Sequence, residues 1–376
     1  MSGPGKPLKR FGELWQRTPT PLNSLCENSD GFPTTEIPTS AFEVWRVSIC
    51  DEGSDDDFFK VRNPLFAVFA LSVKRGVNEN PKNMKQLSDK QRELVSSLAK
   101  RLEAIRGVKV VVLGGSYARG RARPESDIDL GLFYSEATPF SIQSVRELAE
   151  EVNDTPGPVV ANFYEWGPWI NGGAWLTIGG QRVDFVYRSL EQMERVIAEA
   201  EAGRYEVHYA QQPPFGYFSG TFLGDIAVCI PLFDPQGRLE PLKQRVAQYP
   251  EALRRTVVQD YLWMAEFGLT AVARKFATRG DSYGTAACLT TAVNQLVMVL
   301  FTLNRKYLIN DKTALVEVAE FECAPKDFGP RVQKTVARLG ASAAELAAAV
   351  ESVEGLFRET VELAEGMYRA RYTLPK

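Results

Sequence analysis

Asp127 and Asp129, one residue apart in "SDIDLGLFY", are the most chemically loaded pair in this 376-residue chain. Side chains alternate faces along a strand, so both carboxylates point the same way while Ile128 and Leu130 enter the core. Two anions on one face repel, and a divalent cation relieves the repulsion. Mg²⁺ takes oxygen ligands and keeps positions open for water and substrate phosphates. Just upstream, Gly114-Gly115-Ser116 follows the apolar run "VKVVVL". Such a turn exposes backbone N–H groups where the chain enters a helix, a place that favours phosphate. Ser116 adds a hydroxyl donor, and Arg119 lies one helical turn further on. Neither GxxxxGK[ST] nor GxGxxG is present. Turn and carboxylates together predict one site for a phosphate and a metal, with Arg121 and Arg123 on a solvated face.

The stretch "LGGSYARGRARPESDIDLGL" resembles the signature of the nucleotidyltransferase superfamily that includes DNA polymerase beta and the aminoglycoside and lincosamide nucleotidyltransferases. The resemblance spans roughly residues 85–190 and implies an α+β fold with a third carboxylate on a later strand. Asp184, in "RVDFVYR", stands at that position as a charge in an apolar strand. The implied reaction is Mg²⁺-dependent transfer of a nucleoside monophosphate from an NTP, with ATP the expected donor, to a hydroxyl of a small-molecule acceptor. Asp127 and Asp129 would bridge two Mg²⁺ ions. Asp184 would bind the second metal, take the hydroxyl proton, or both. Gly114, Gly115, Ser116, Arg119 and Ser126 would hold the nucleotide. Glu165, Tyr217 and Asp225 are weaker acceptor-side candidates, with Tyr164, Trp166, Trp169 and Phe215 in loops suited either to stacking on a ring or, the tryptophans above all, to packing the interdomain core. The later segments "GYFSGTFLGDIAVCIPL", "YPEALRR" and "LFTLNRKYLIN" are similar to a helical domain that follows this module in bacterial relatives.

The elements that must position these residues are legible from periodicity. "SDKQRELVSSLAKRLEAIRG" predicts a helix capped by Ser88 with Gln91 three residues later, an apolar stripe of Leu94, Leu98, Leu102 and Ile105, and a stop at Gly107. "VKVVVLGG" and "SDIDLGLFY" predict strands, "VRELAEEVN" a helix, and "WLTIGGQRVDFVYR" a hairpin turning at Gly179-Gly180. "LEQMERVIAEAEAG" begins a helical half. A loop-rich passage follows from His208 to Arg238, then helices near 250–278, 285–309 and 341–370. The expected organisation is an irregular or disordered extension (1–83), a small mixed-sheet nucleotidyltransferase domain (84–200) and an all-α acceptor-side domain (201–376). The extension is expected to be dispensable.

Composition narrows the function classes. Lys+Arg 44 against Asp+Glu 47 gives a net charge of −3, which argues against a long nucleic-acid footprint. Five cysteines without a CxxC pair suit a reducing compartment and offer no zinc framework. A single histidine, His208, makes a Ser-His-Asp triad or a His-based metal site a poor fit. The N-terminus lacks an apolar signal core, and runs such as "LVMVLFTL" are shorter than the ~20 residues of a membrane helix. A cytoplasmic enzyme with no membrane partner is expected. A protein acceptor, as in toxin–antitoxin nucleotidyltransferases, and nucleotide binding without turnover are the alternatives.

Overall fold

The computed structural model describes residues 84–371 apart from Pro213, all within one compact unit. The expected extension and its dispensability lie outside the described residues. The fold is α+β, a mixed sheet with helices on both faces followed by a helical region.

Helix α1 (Asp89–Glu103) starts as its sequence dictates. Ser88 accepts the Gln91 N–H, the Gln91 side chain returns the bond to the Ser88 N–H, and Val95, Leu98, Ala99 and Leu102 are buried. Gln91 then reaches further, donating to the Tyr117 hydroxyl and to Gln181. The cap of α1 is thereby tied to the turn after β1 (Val108–Leu113), where Tyr117 lies in the single helical turn α2 (Gly115–Ala118). Strand β2 (Ile128–Tyr134) runs antiparallel to β1, and α3 (Ile142–Val152) leads to the short edge strand β3 (Val159–Val160). Strands β4 (Gly173–Ile178) and β5 (Gln181–Ser189) form the expected hairpin. Gly179 and Gly180 both have positive φ, 57° and 79°, and both donate N–H bonds to Asp154. Helix α4 (Leu190–Glu201) follows, its Ser189 cap accepting from Gln192.

The passage expected to be loop-rich contains regular structure. A two-stranded ribbon of β6 (Val207–His208) and β7 (Tyr217–Phe218) leads into α5 (Thr221–Val228) and β8 (Ile230–Phe233). Strand β8 pairs antiparallel with β1 and closes one edge of a six-stranded sheet ordered β3-β4-β5-β2-β1-β8. Pro231 is tolerated because β8 is an edge. The region expected to be all-α after residue 200 therefore completes the sheet that carries Asp129 and Asp184. Lys243, on α6 (Leu239–Val246), donates to the carbonyls of Ile226, Ala227 and Cys229, which caps the C-terminus of α5 and fixes its approach to the sheet.

Helix α7 (Glu251–Phe267) continues through a π-helical turn (Gly268–Ala273) into α8 (Arg274–Thr278), and α9 (Ser282–Leu303) packs along α7. Among the described residues α9 is the one helix long and apolar enough to cross a membrane, longer than the run "LVMVLFTL" that the sequence displays. Most of it is buried, every residue from Leu296 to Leu303 being enclosed by other parts of the chain. The short α10 (Ala314–Val318), α11 (Phe328–Ala337) and α12 (Ala343–Leu363) complete the helical part.

The sheet separates two apolar cores. Val111, Leu113, Leu130, Leu132, Val183 and Phe185 face α1 and α3. Val110, Val112 and Phe133 join the core of the helical part. Alternation then places Asp129 and Asp184 on the helical side of the sheet.

Candidate active site

Asp127 sits at the mouth of β2 and Asp129 lies within it. Asp184 on the parallel strand β5 is the register partner of Asp129, so sheet pairing alone puts the two carboxylates side by side. All three line a cavity of about 470 Å³ together with Gly114, Gly115, Ser116, Arg119 and Ser126. Its opposite wall comes from Asp225, Val228 and Cys229 and from Ile309, Asn310, Lys312 and Thr313 after α9.

The turn is shaped around a carboxylate. Gly115 has φ +57°, and a Cβ placed there would lie 1.7 Å from Asp129 Oδ2. Gly114 donates its N–H to the Asp129 carbonyl, yet a Cβ there would make only ordinary contact with Asp129, at 3.8 Å. The loop that follows is braced by Gln86, which donates to Gly120 O and accepts from Ala122 N. Ser126 Oγ accepts the Arg123 N–H and closes the short turn entering β2.

Like charge and burial strain the floor. Burial, then the charges of Asp184, Asp127 and Asp225, push the Asp129 carboxyl up to about 7, against the pull of Lys312. Burial and the charge of Asp127 push Asp184 up to about 6, opposed by Arg182 and Lys312. Arg182 Nε lies 2.6 Å from Asp127 Oδ1, a guanidinium standing where the carboxylate could meet a metal. Among the described residues no three carboxylates, histidines or cysteines converge closely enough to hold an ion as they stand. The donor set itself, three carboxylates with all-oxygen chemistry and raised affinity for positive charge, fits a hard cation such as Mg²⁺.

Arg119 occupies a different position from the one expected at the phosphates. It lines the cavity, but its guanidinium is 2.5 Å from Glu317, and both side chains are about nine-tenths buried. Thr313 donates to the second oxygen of Glu317, and Arg121 pairs with Glu320. These pairs tie the turn after β1 to α10. Replacing Glu317 with Ala leaves Arg119 buried and unpaired, a change that typically costs about 3 kcal/mol. The expected outcome is a lowered urea midpoint at unchanged slope.

Of the acceptor-side candidates, Glu165 is exposed, accepts the Asn162 N–H and lines neither the carboxylate cavity nor its neighbour, so it caps a turn. Asp225 bridges two spaces. It pairs with Arg188 at 3.0 Å and lines both the carboxylate cavity and an adjoining recess of about 280 Å³. Tyr217 lines that recess, stacks on Trp169, and has a buried hydroxyl with no hydrogen-bond partner among the described residues. Trp166 and Phe215 line it too, whereas the Tyr164 hydroxyl is committed to Glu136 outside both spaces.

Four residues of this region escape sequence reasoning: Trp175, Arg188, Asp311 and Lys312. Trp175 is the antiparallel register partner of Asp184, so Asp129, Asp184 and Trp175 form one row across three strands. The alternation of "WLTI" could have flagged it, because Trp175 and Leu176 fall on opposite faces and Leu176 takes the core face.

Residues 95–201 match the model of the nucleotidyltransferase domain family, over the stretch that carries the row of aspartates. The chain contains a nucleotidyltransferase domain. Its match begins within α1 and ends with α4. Residues 230–312 match a domain of unknown function (DUF4037), which runs from β8, at the edge of the nucleotidyltransferase sheet, to Lys312 on the cavity wall. A nucleotidyltransferase-like protein from Exiguobacterium sibiricum 255-15 is similar in structure at 13% identity and a TM-score of 0.36, covering 73% of this chain and 76% of that one. No curated protein matches the sequence.

Proposed function

We propose that this nucleotidyltransferase domain transfers a nucleoside monophosphate, from ATP in the first instance, to a hydroxyl of a small-molecule acceptor. The observation that carries this reading is the grouping of Asp127, Asp129 and Asp184 with the Gly114–Ser116 turn around one cavity. Asp127, Asp129 and Asp184 would hold Mg²⁺, which when bound neutralises charge on the phosphoryl oxygens. The turn offers backbone N–H groups and the Ser116 hydroxyl to the triphosphate. Lys312, with no ion pair among the described residues, adds positive charge from the facing wall. The acceptor oxygen attacks the α-phosphorus, the bond to pyrophosphate breaks, and the hydroxyl proton passes to a carboxylate oxygen of Asp184.

The test is incubation with each NTP, Mg²⁺ and a pool of hydroxyl-bearing metabolites and antibiotics, with pyrophosphate and product masses measured. A product heavier by one nucleoside monophosphate, lost in Asp127→Asn, supports the reading. Bound NTP with neither product nor pyrophosphate sinks it, and a labelled polypeptide would move it to a protein acceptor. Asp225→Asn should raise the acceptor KM at least tenfold while leaving the Kd for ATP within about twofold, since a tenfold change needs only about 1.4 kcal/mol at the acceptor. Equal effects on both constants would remove Asp225 from the acceptor side.

A further inference from the structure

The recess beside the carboxylate floor shares Val186, Arg188, Asp225 and Ile309 with the main cavity, so whatever fills it reaches the row of aspartates. We propose that it receives a ring-bearing acceptor carrying a protonated amine, with the ring against Trp175 and the ammonium at Asp311. This inference rests on the proposed transfer to a small molecule.

Two independent features carry it. The first is an aromatic platform at the right place. Trp175 sits in register opposite Asp184, is 54% exposed, and is held rigid by stacking on Trp166 at 4.7 Å between ring centroids, with the planes 18° apart. Both indoles line the recess, with Phe215 and Tyr217. An exposed indole braced from behind binds a flat or alicyclic ring face, and its quadrupole attracts a cation.

The second feature is a charge imbalance. Two carboxylates line the recess, Asp225 and Asp311, with one guanidinium, Arg188. Arg188 is committed to Asp225 at 3.0 Å. The Asp311 carboxylate has no ion pair and no hydrogen bond among the described residues, and it is half-buried. Burial alone pushes its carboxyl above the ordinary range. Its chain neighbour Lys312 lines the other cavity. A half-buried carboxylate without a partner is costly, and an ammonium ion supplied by the ligand offsets that cost. A neutral acceptor would leave it unpaired, and an acidic one would be repelled.

Binding without nucleotide separates this inference from the transfer reaction. Calorimetry on the whole chain would compare tyramine with N-acetyltyramine, and 4-aminocyclohexanol with its N-acetyl derivative. At least one amine should bind at least tenfold more tightly than its amide. Asp311→Asn should collapse that ratio to about one and Asp311→Glu should keep it. Equal affinity for amine and amide in both pairs of the unmodified chain, or a ratio that survives in Asp311→Asn, would overturn the proposal. Nucleotidylated products formed only from uncharged acceptors would overturn it while leaving the proposed function standing. Absence of all transfer alongside an Asp311-dependent amine preference would do the reverse.

Discussion

Asp129→Asn is expected to abolish nucleotidyl transfer and at the same time to raise the thermal stability of the ligand-free protein. The two effects have one cause. Asp129 is pressed between burial and the charges of Asp184, Asp127 and Asp225, which hold its carboxyl near 7 rather than at the usual 3.8. Because the folded state holds this proton up to about pH 7 while the unfolded chain releases it near pH 4, the penalty is fully present above pH 7. It is relieved as pH falls between those values. Asn carries no charge, so the variant gains on the order of 1–3 kcal/mol at pH 8 and loses this part of the pH dependence. It also removes an oxygen donor from the floor where Mg²⁺ would sit. A loss of about 4 kcal/mol of transition-state stabilisation corresponds to about a 1000-fold lower rate. Differential scanning calorimetry from pH 4 to 8, with and without Mg²⁺, checks the first half, and pyrophosphate release checks the second. Mg²⁺ should stabilise the unmodified chain more than the variant. A variant that turns over within tenfold of the unmodified chain, or that melts lower at pH 8, contradicts this account of the site.

Sequence legibility tracked how local the physics was. The Ser88–Gln91 capping box, the β-branched run of β1 and the Gly179–Gly180 hairpin are encoded within a few residues, and each appears where its pattern put it. The pairing of Asp129 with Asp184 follows from two strands in one register, so the alternation of each strand sufficed to aim both carboxylates at one face. Strand β8 was hidden because four residues with a proline carry almost no strand signal, and only the open edge of β1 makes them one. Arg119 illustrates the other limit. Its spacing from Ser116 suits a phosphate, but its partner Glu317 is 198 residues away, and no local pattern reports a contact at that separation. Asp311 and Lys312 were illegible for a similar reason. They matter only because the segment after α9 folds back over the sheet, placing Lys312 on the wall of the cavity and Asp311 on that of the adjoining recess.

Gly115 gives the strictest test of how the turn and the carboxylates are coupled. Two glycines stand side by side, and composition alone treats them alike. Gly114 has φ −115°, a conformation open to alanine, and the nearest atom to an added Cβ would be 3.8 Å away. Gly115 has φ +57°, and an added Cβ would lie 1.7 Å from Asp129 Oδ2 and 2.5 Å from its Cγ. The carboxylate therefore rests against the bare Cα of Gly115. Alanine there meets two obstacles, a left-handed backbone that costs roughly 1–2 kcal/mol for a residue with a Cβ and the forced displacement of Asp129. Displacing a catalytic group by about 1 Å can lower a rate on the order of 100-fold. Gly115→Ala should therefore lose at least about 100-fold in transfer and about 1–2 kcal/mol in stability, whereas Gly114→Ala should stay within about threefold and 0.5 kcal/mol of the unmodified chain, as expected where no such feature is touched. Steady-state pyrophosphate release and urea unfolding of the two variants measure both quantities. Matching losses in the two, or near-normal turnover in Gly115→Ala, would mean that Asp129 is not positioned by the turn and that the phosphate and carboxylate elements act separately.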